Sequence, residues 1–460
     1  MTDPARRRLL LAALAAGAGP LAACATRPTT ADLTPIVFVP GNGDTAALWT
    51  TTLWRFESNG WPRERLHAID LPYPLARDDD TRAQPGRTST GEHTAFLAAE
   101  VKRVLVRTGA AKVALVGNSR GGYPIRNFIE HGGGAAVVSH VVLCGVPNHG
   151  VFADASGRLG SEFNGAGPFL AGLNAPHGAA GNEVTPGVAW MTIRSDSNDK
   201  YAQPDGVWIG SKGKPTNVSY DGPALKGAEN IVIAGIDHRE TGFGPQAFVP
   251  MFRFIAGHPP ATLDIKPEAT VVLDGTLSGL GFENRQGNYP TNLPLVGATL
   301  EVYAVDAASG ERIGARRHAK TIGADGRWGP FTTGPTVRLE FVMASPGYAT
   351  THVYRSPFPR SSEIVSLHPE RFVEAERDAK AIVIFTRPRG YFGLPRDRIV
   401  LDGTSPPAGI PSGVPGVATA RLKLADAASR AVVGEFNGER IVGRTWPAAD
   451  NQVVVLELTG

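Results

Sequence analysis

The sequence predicts a doubly wound, mostly parallel α/β sheet followed by C-terminal all-β, sandwich-like domains. Between about residues 34 and 257, short apolar runs ("PIVFVPGNG", "KVALVG", "SHVVLCGVP", "VAWMTIRS", "ENIVIAGID") alternate with segments of helical period and close on "GPQAFVPMFRFIAG". Runs that are apolar throughout suit strands buried on both faces, as in a parallel sheet covered by helices. From "GHPPATLDI" onward the helical period stops, and runs of about four to eight residues bounded by turn signals take over, such as "TVVLDG", "VRLEFVM", "EIVSL", "KAIVIFTRP" and "QVVVLEL". The 460 residues include 55 Gly and 37 Pro, which fits many loops and short strands. The predicted layout is an export signal (1–23), a linker (24–33), an α/β domain (34–258), a β-sandwich domain (259–373) and a second β-rich domain (374–460).

The leader "ARRRLLLAALAAGAGPLAAC" has a basic start at Arg6, Arg7 and Arg8. Its apolar run is too short to span a membrane before Gly17, Gly19 and Pro20 interrupt it. It ends in Leu21-Ala22-Ala23-Cys24 and resembles a bacterial lipoprotein signal, with a start similar to twin-arginine export signals. That resemblance implies cleavage before Cys24, lipidation of its sulfur, and a protein exported to the bacterial cell envelope, membrane-anchored or secreted. With Cys24 lipidated, Cys144 has no partner for an intramolecular disulfide; in "VVLCGVP" it reads as a small buried hydrophobe. Lys and Arg number 46 against 43 Asp and Glu, with no basic stripe interleaved with aromatics, so the chain lacks the footprint of a nucleic-acid binder. "RDDDTR", residues 77–82, reads as a solvated loop. The sequence calls for no metal and no cofactor.

Within the α/β region, "EHTAFLAAEVKRVLVRTG" reads as an amphipathic helix, with Phe96, Leu97, Val101, Val104 and Leu105 on one face and Gly109 at its end. "VALVGNSRGGYP" then has the form G-x-S-x-G, with Ser119 between Gly117 and Gly121, a strand before it and a helical segment after it. That is the context of a nucleophile elbow. A serine hydroxyl needs a base, a carboxylate that orients the base, and donors for a developing oxyanion. In such sheets they follow in the order serine, acid, histidine. Of the 11 histidines, only His238 sits just after a late apolar strand, in "IVIAGIDHRETGFG". "WMTIRSDSNDKYAQPDG" offers Asp196, Asp199 and Asp205 as the acid; Asp205 lies in a Pro-Asp-Gly turn that favours aspartate for backbone reasons. The N–H of Arg120 and that of Asn42, in the glycine loop after the first strand, are the candidate oxyanion donors. Phe163, Phe169, Leu170 and Leu173 can share an apolar face, as a lid or acyl-pocket wall or as a helix packed on the sheet.

Together, "VPGNG", "GNSRGG", "DKYAQP" and "IDH" resemble the α/β-hydrolase lipases, above all the Candida antarctica lipase B type and small bacterial lipases, over roughly residues 34–257. "CGVPNHG" is similar to the segment after the elbow strand in bacterial lipases. The resemblance points to Asp199 as the acid, with Asp196 as the alternative. It implies a serine ester hydrolase acting through an acyl-enzyme on acylglycerols or other lipid-like esters, at a lipid–water interface. A polyester (polyhydroxyalkanoate) or aryl-ester hydrolase, and a non-catalytic surface-binding lipoprotein with a hydrolase-like core, are the competing expectations. Arg120 departs from the yeast type, which has an uncharged residue there, and is expected to alter the polar groups the site tolerates. The whole layout resembles a long-chain lipase of archaea, and "PLVGATLEVYAVDAASGERIG" is similar to prealbumin-like or carboxypeptidase-regulatory modules.

Overall fold

In chain order the first half comprises Ile36–Val39 (β1), Thr50–Ser58 (α1), Leu66–Ala68 (β2), Thr90–Thr108 (α2), Val113–Asn118 (β3), Gly122–His131 (α3), Val138–Cys144 (β4), Pro168–Leu173 (α4), Ala189–Ser195 (β5), Asp205–Gly206 (β6), Ser211–Pro215 (β7), Glu229–Ile233 (β8), Glu240–Phe243 (α5) and Pro245–Ala256 (α6). The structure, a computed structural model, describes residues 33–284 and 287–460; the expected export signal and Cys24 lie outside them. Among the described residues no helix is long and apolar enough to cross a membrane.

Six strands form one sheet in the order β2-β1-β3-β4-β5-β8, every neighbouring pair parallel. β1 and β3 are buried at every position, as strands covered on both faces must be. One face carries α2 and α3 through Leu97, Val101, Val104, Ile125 and Phe128. The other is lined by aromatic rings, with Phe56 within 5.9 Å of the Phe38, Trp61, Phe248 and Phe252 centroids. α2 begins at a capping box, in which the Ser89 hydroxyl accepts from the Glu92 N–H and the Glu92 carboxylate accepts from the Ser89 N–H. It ends at Gly109, whose φ of 66° closes the last turn.

The second half is layered around a seven-stranded sheet. Its order is His318–Thr321, Thr299–Ala304, Leu339–Ala344, Thr350–Arg355, Gln452–Glu457, Ala381–Thr386, Thr419–Leu424. Successive side chains point to opposite faces. Ile382, Ile384, Val453 and Val455 thus enter one core with Val271, Leu273, Trp328 and Phe331, while Val383, Phe385, Val454 and Leu456 enter another with Ile399, Leu401, Val432 and Ile441. This sheet crosses the boundary expected at 373/374, because Gln452–Glu457 pairs in parallel with both Thr350–Arg355 and Ala381–Thr386. The run "EIVSL" forms no strand. Its last residue makes a single bridge, Leu277 to Leu367, and Ser362 just before it makes another to Leu273, while Val365 is buried against the backbone of Gly275.

Residues 34–460 form one compact unit. Trp54 of α1 shows why: it belongs to the first β core, its Nε1 donates to the Ser361 carbonyl at 2.9 Å, and its ring meets Phe358 edge-on. Beside it Arg63 and Arg360 each bond both Glu57 and Glu268. Trp54→Ala removes a buried indole and its hydrogen bond, so it should lower unfolding stability by roughly 3–5 kcal/mol. Urea denaturation measures this, and a loss below about 1 kcal/mol would show that the two halves do not depend on this contact.

Candidate active site

From β1 the chain continues to β2 on one side of the sheet, while β3 leads on to β4 on the other. Where strand order reverses in this way, the loops diverge at the carboxyl ends and leave a ligand crevice. The register pairs Val39 with Gly117, Asn118 with Cys144, Cys144 with Ile193, and Ser195 with Ile233. The loops that follow β1, β3, β5 and β8 therefore leave from one edge.

Ser119 sits on the turn between β3 and α3 with φ of 52°, a left-handed conformation that strains a residue with a Cβ. Its glycine neighbours make the turn possible. A Cβ on Gly117 would lie 2.7 Å from Ile125 Cδ1, and one on Gly121 would lie 2.5 Å from the Val39 carbonyl oxygen. The loop after β1 runs directly against the serine, since a Cβ on Gly41 would be 3.2 Å from that of Ser119.

His238 follows β8. Its Nδ1 donates to the Asp199 carboxylate, with Oδ1 at 2.9 Å and Oδ2 at 2.8 Å, and both residues are buried. A carboxylate accepts only, so this contact puts the proton on Nδ1 and leaves the lone pair on Nε2. Nε2 is itself buried and has no hydrogen-bond partner among the described residues. The Tyr201 ring meets the imidazole edge-on with centroids 4.7 Å apart. The other two aspartates are occupied elsewhere. Asp196 accepts from Ser195, Asn198 and Gly235, and Asp205 accepts from the Val207 N–H. Asn118 joins the serine turn to the histidine loop, its Nδ2 lying 3.0 Å from the Cys144 carbonyl oxygen and 3.3 Å from that of His238.

Ser119 and His238 open on one cavity of about 430 Å³, whose wall includes Asn42, Phe163, Tyr201, Trp208 and Tyr391. A second cavity of about 710 Å³ shares Tyr201 and His238 with it but does not reach Ser119. Asn42 is exposed, and its Oδ1 accepts from the Ala76 N–H at 2.8 Å. Phe163 faces the first cavity. Leu170 is fully buried with Leu173 against Tyr123, and Phe169 packs edge-on against the same ring. The Arg120 guanidinium does not reach the cavity, contrary to the expectation that it tunes the site's polarity. It is fully buried on Glu162 (2.5 and 3.1 Å) and donates to the carbonyls of Pro74 and Thr88. Burial pushes the Glu162 carboxyl up, and Arg120 opposes that. "RDDDTR" is likewise more than a solvated loop: Arg77 and Asp78 line the cavity, and Asp80 accepts from the Thr90 N–H at the start of α2.

Sequence reasoning misses Trp208 and Tyr391, whose place at the cavity is set by tertiary contacts. Tyr391 lies under Lys200, whose Nζ is 3.8 Å from its ring centroid and donates to the Gly416 carbonyl at 2.8 Å. Burial, with Arg239 nearby, lowers the Lys200 ammonium to about 8. Among the described residues there is no group of three or more His, Cys, Asp or Glu placed to hold a metal ion.

A hydroxyl on a strained turn after the third strand of a parallel sheet, with an imidazole brought to the same cavity from the loop after the last strand, decides the fold type. The fold is that of an α/β hydrolase. Residues 269–372 match the lipase C-terminal domain family. No curated protein sequence matches the chain. Solved structures similar to the hydrolase fold include Aspergillus fumigatus lipase B, at 16% identity and TM-score 0.34, over 52% of this chain and 56% of that protein's length. They also include the propeptide form of Bacillus licheniformis lipase BlEst2, at 14% identity and TM-score 0.36, over 92% of this chain and 94% of that one. Legionella pneumophila phospholipase PlaB matches at 13% identity and TM-score 0.34, over 75% of this chain and 95% of that one. At such scores the assignment rests on the chain's own topology and on the C-terminal match. The C-terminal match relates residues 269–372 at a distance to lipases, without singling out one of them.

The Arg120–Glu162 pair predicts a stability effect. Glu162→Gln leaves a buried guanidinium without its counter-charge and should cost roughly 3–5 kcal/mol. Chemical denaturation measures it; a change within about 0.5 kcal/mol would mean that the carboxyl contributes no charge there.

Proposed function

We propose that the protein is a serine carboxylic-ester hydrolase, a lipase acting on acylglycerols or similar lipid-like esters through an acyl-enzyme. The observation that carries this reading is the Asp199–His238 pair, whose unpartnered Nε2 belongs to a residue lining the cavity that Ser119 also lines. In this reaction Ser119 Oγ attacks the ester carbonyl and passes its proton to His238 Nε2. Asp199 holds the ring in the required tautomer and stabilises the imidazolium. The N–H groups of Arg120 and Asn42 bind the oxyanion, each donor contributing on the order of 3 kcal/mol in the transition state. The imidazolium protonates the leaving alkoxide, and water then repeats the cycle on the acyl-enzyme to release the acid. Phe163, Trp208 and Tyr391 give the cavity aromatic walls suited to an apolar acyl group. The leader motif ending at Cys24 supports export and lipid anchoring, which would place the site at an envelope or aggregate surface.

A fluorophosphonate should label the native protein at Ser119, and Ser119→Ala should abolish both labelling and ester turnover. Failure of the native protein to label, or equal labelling of the alanine variant, rejects the proposal. Asp199→Asn should leave the fold intact and lower kcat by about 10⁴-fold, whereas Asp196→Asn should change it little. Turnover of triglyceride emulsion above that of polyhydroxyalkanoate film and feruloyl ester would support the acylglycerol assignment, and the reverse order would overturn it.

A further inference from the structure

Both residues flanking His238 are held by the second half of the chain. Asp237 is fully buried, and its Oδ2 accepts from Arg387 Nη1 at 2.7 Å and from the Tyr391 N–H at 2.8 Å. Its Oδ1 accepts from the N–H groups of Arg239 and Glu240, fixing the turn that carries the imidazole. Glu240 is bonded at Oε1 by Arg387 Nη2 (2.5 Å) and at Oε2 by Arg396 Nη1 (2.9 Å). Arg239 pairs with Asp44 and donates to the Pro388 carbonyl at 3.1 Å. Arg387 is immobilised from behind. Its Nε donates to the Gly460 carbonyl and Nη1 also to that of Tyr391, and a Cβ on Gly390 would lie 2.3 Å from its Nη1. Burial opposes charge on Asp237, but Arg387 and Arg396 together hold its carboxyl below the usual range.

A buried turn held by charge-assisted bonds at both of its carboxylates has one conformation. The chemistry needs that, since a misplacement of about 1 Å in a catalytic group can cost roughly 100-fold in rate. We propose that Arg387 is a positioning residue for His238: its guanidinium, bridging Asp237 and Glu240, aims Nε2 at Ser119, so the C-terminal β half completes the site. This rests on the ester-hydrolase reading.

The test uses the full chain, p-nitrophenyl acetate as a small soluble ester, and a fluorophosphonate. Arg387→Met should keep its near-UV circular dichroism, lose at least tenfold in kcat and in labelling rate, and keep KM within twofold. Arg387→Lys, whose ammonium reaches one carboxylate, should recover part of both losses. If the methionine variant does not fold, Glu240→Gln decides, with an expected loss of threefold or more in kcat at unchanged KM. Native kcat and labelling rate in a folded Arg387→Met protein, or a loss confined to KM, would leave the network as mere glue between the halves and overturn the proposal. Absence of labelling in the native protein sinks the hydrolase reading and this proposal with it; labelling of the native and methionine proteins at one rate sinks this proposal alone.

Discussion

One buried side-chain amide holds the site's geometry together. Asn118 ends the elbow strand, and its Nδ2 lies within 3.3 Å of acceptors on Cys144, His238 and Thr241. Two hydrogens thereby serve three acceptors from the ends of β4 and the histidine loop. Both hydrogens of Nδ2 are committed, which restricts the spacing of these strand ends, while Oδ1 of the same amide is buried without a hydrogen-bond partner among the described residues. The loop after β1 approaches this point closely, since a Cβ on Gly41 would lie 3.3 Å from the Asn118 Oδ1.

Further out, the same logic uses charge. The Arg120–Glu162 pair lies beneath the crevice, and the cluster of Asp237, Glu240, Arg387 and Arg396 lies beside it. Buried pairs add little net stability, because desolvation offsets most of the Coulomb gain. What they do supply is direction: a guanidinium with every nitrogen hydrogen-bonded restricts the placement of the loop it holds. The acid loop is treated alike, since Lys200, next to Asp199, is tied to Gly416 and Tyr391.

The parts legible in the sequence are those whose signal is local. Uninterrupted apolar runs mark β1, β3, β4, β5 and β8, and the start and end signals of α2 lie within the helix and its caps. β2 escapes because it is three residues long and only Leu66 is buried. α1, with Thr50, Thr51 and Thr52 in its first turn, has poor intrinsic helix propensity; burial of Trp54 and Phe56 decides in its favour. The hairpin of Ala431–Phe436 and Glu439–Arg444 goes unread although Asn437-Gly438, both at positive φ, is a strong turn signal. At the site, the elbow motif and the order of residues single out Ser119 and His238 from local context. Which of Asp199 and Asp196 meets the imidazole depends on the path of one loop over three residues, and the fold brings Asp199 there. Tyr391 and Arg387 are about 150 residues from the loop they touch, and no local pattern links them to it.

The strand Gln452–Glu457 is last in sequence among the seven of its sheet, yet it lies near the middle, flanked by two parallel neighbours. Until it is in place, Thr350–Arg355 and Ala381–Thr386 present bare edges, the kind of surface that recruits strands from other chains. Folding of the β half must therefore wait for residues up to Glu457 to be available. A chain threaded across a membrane residue by residue would pass through a long interval of exposed edges, whereas one moved after folding would not.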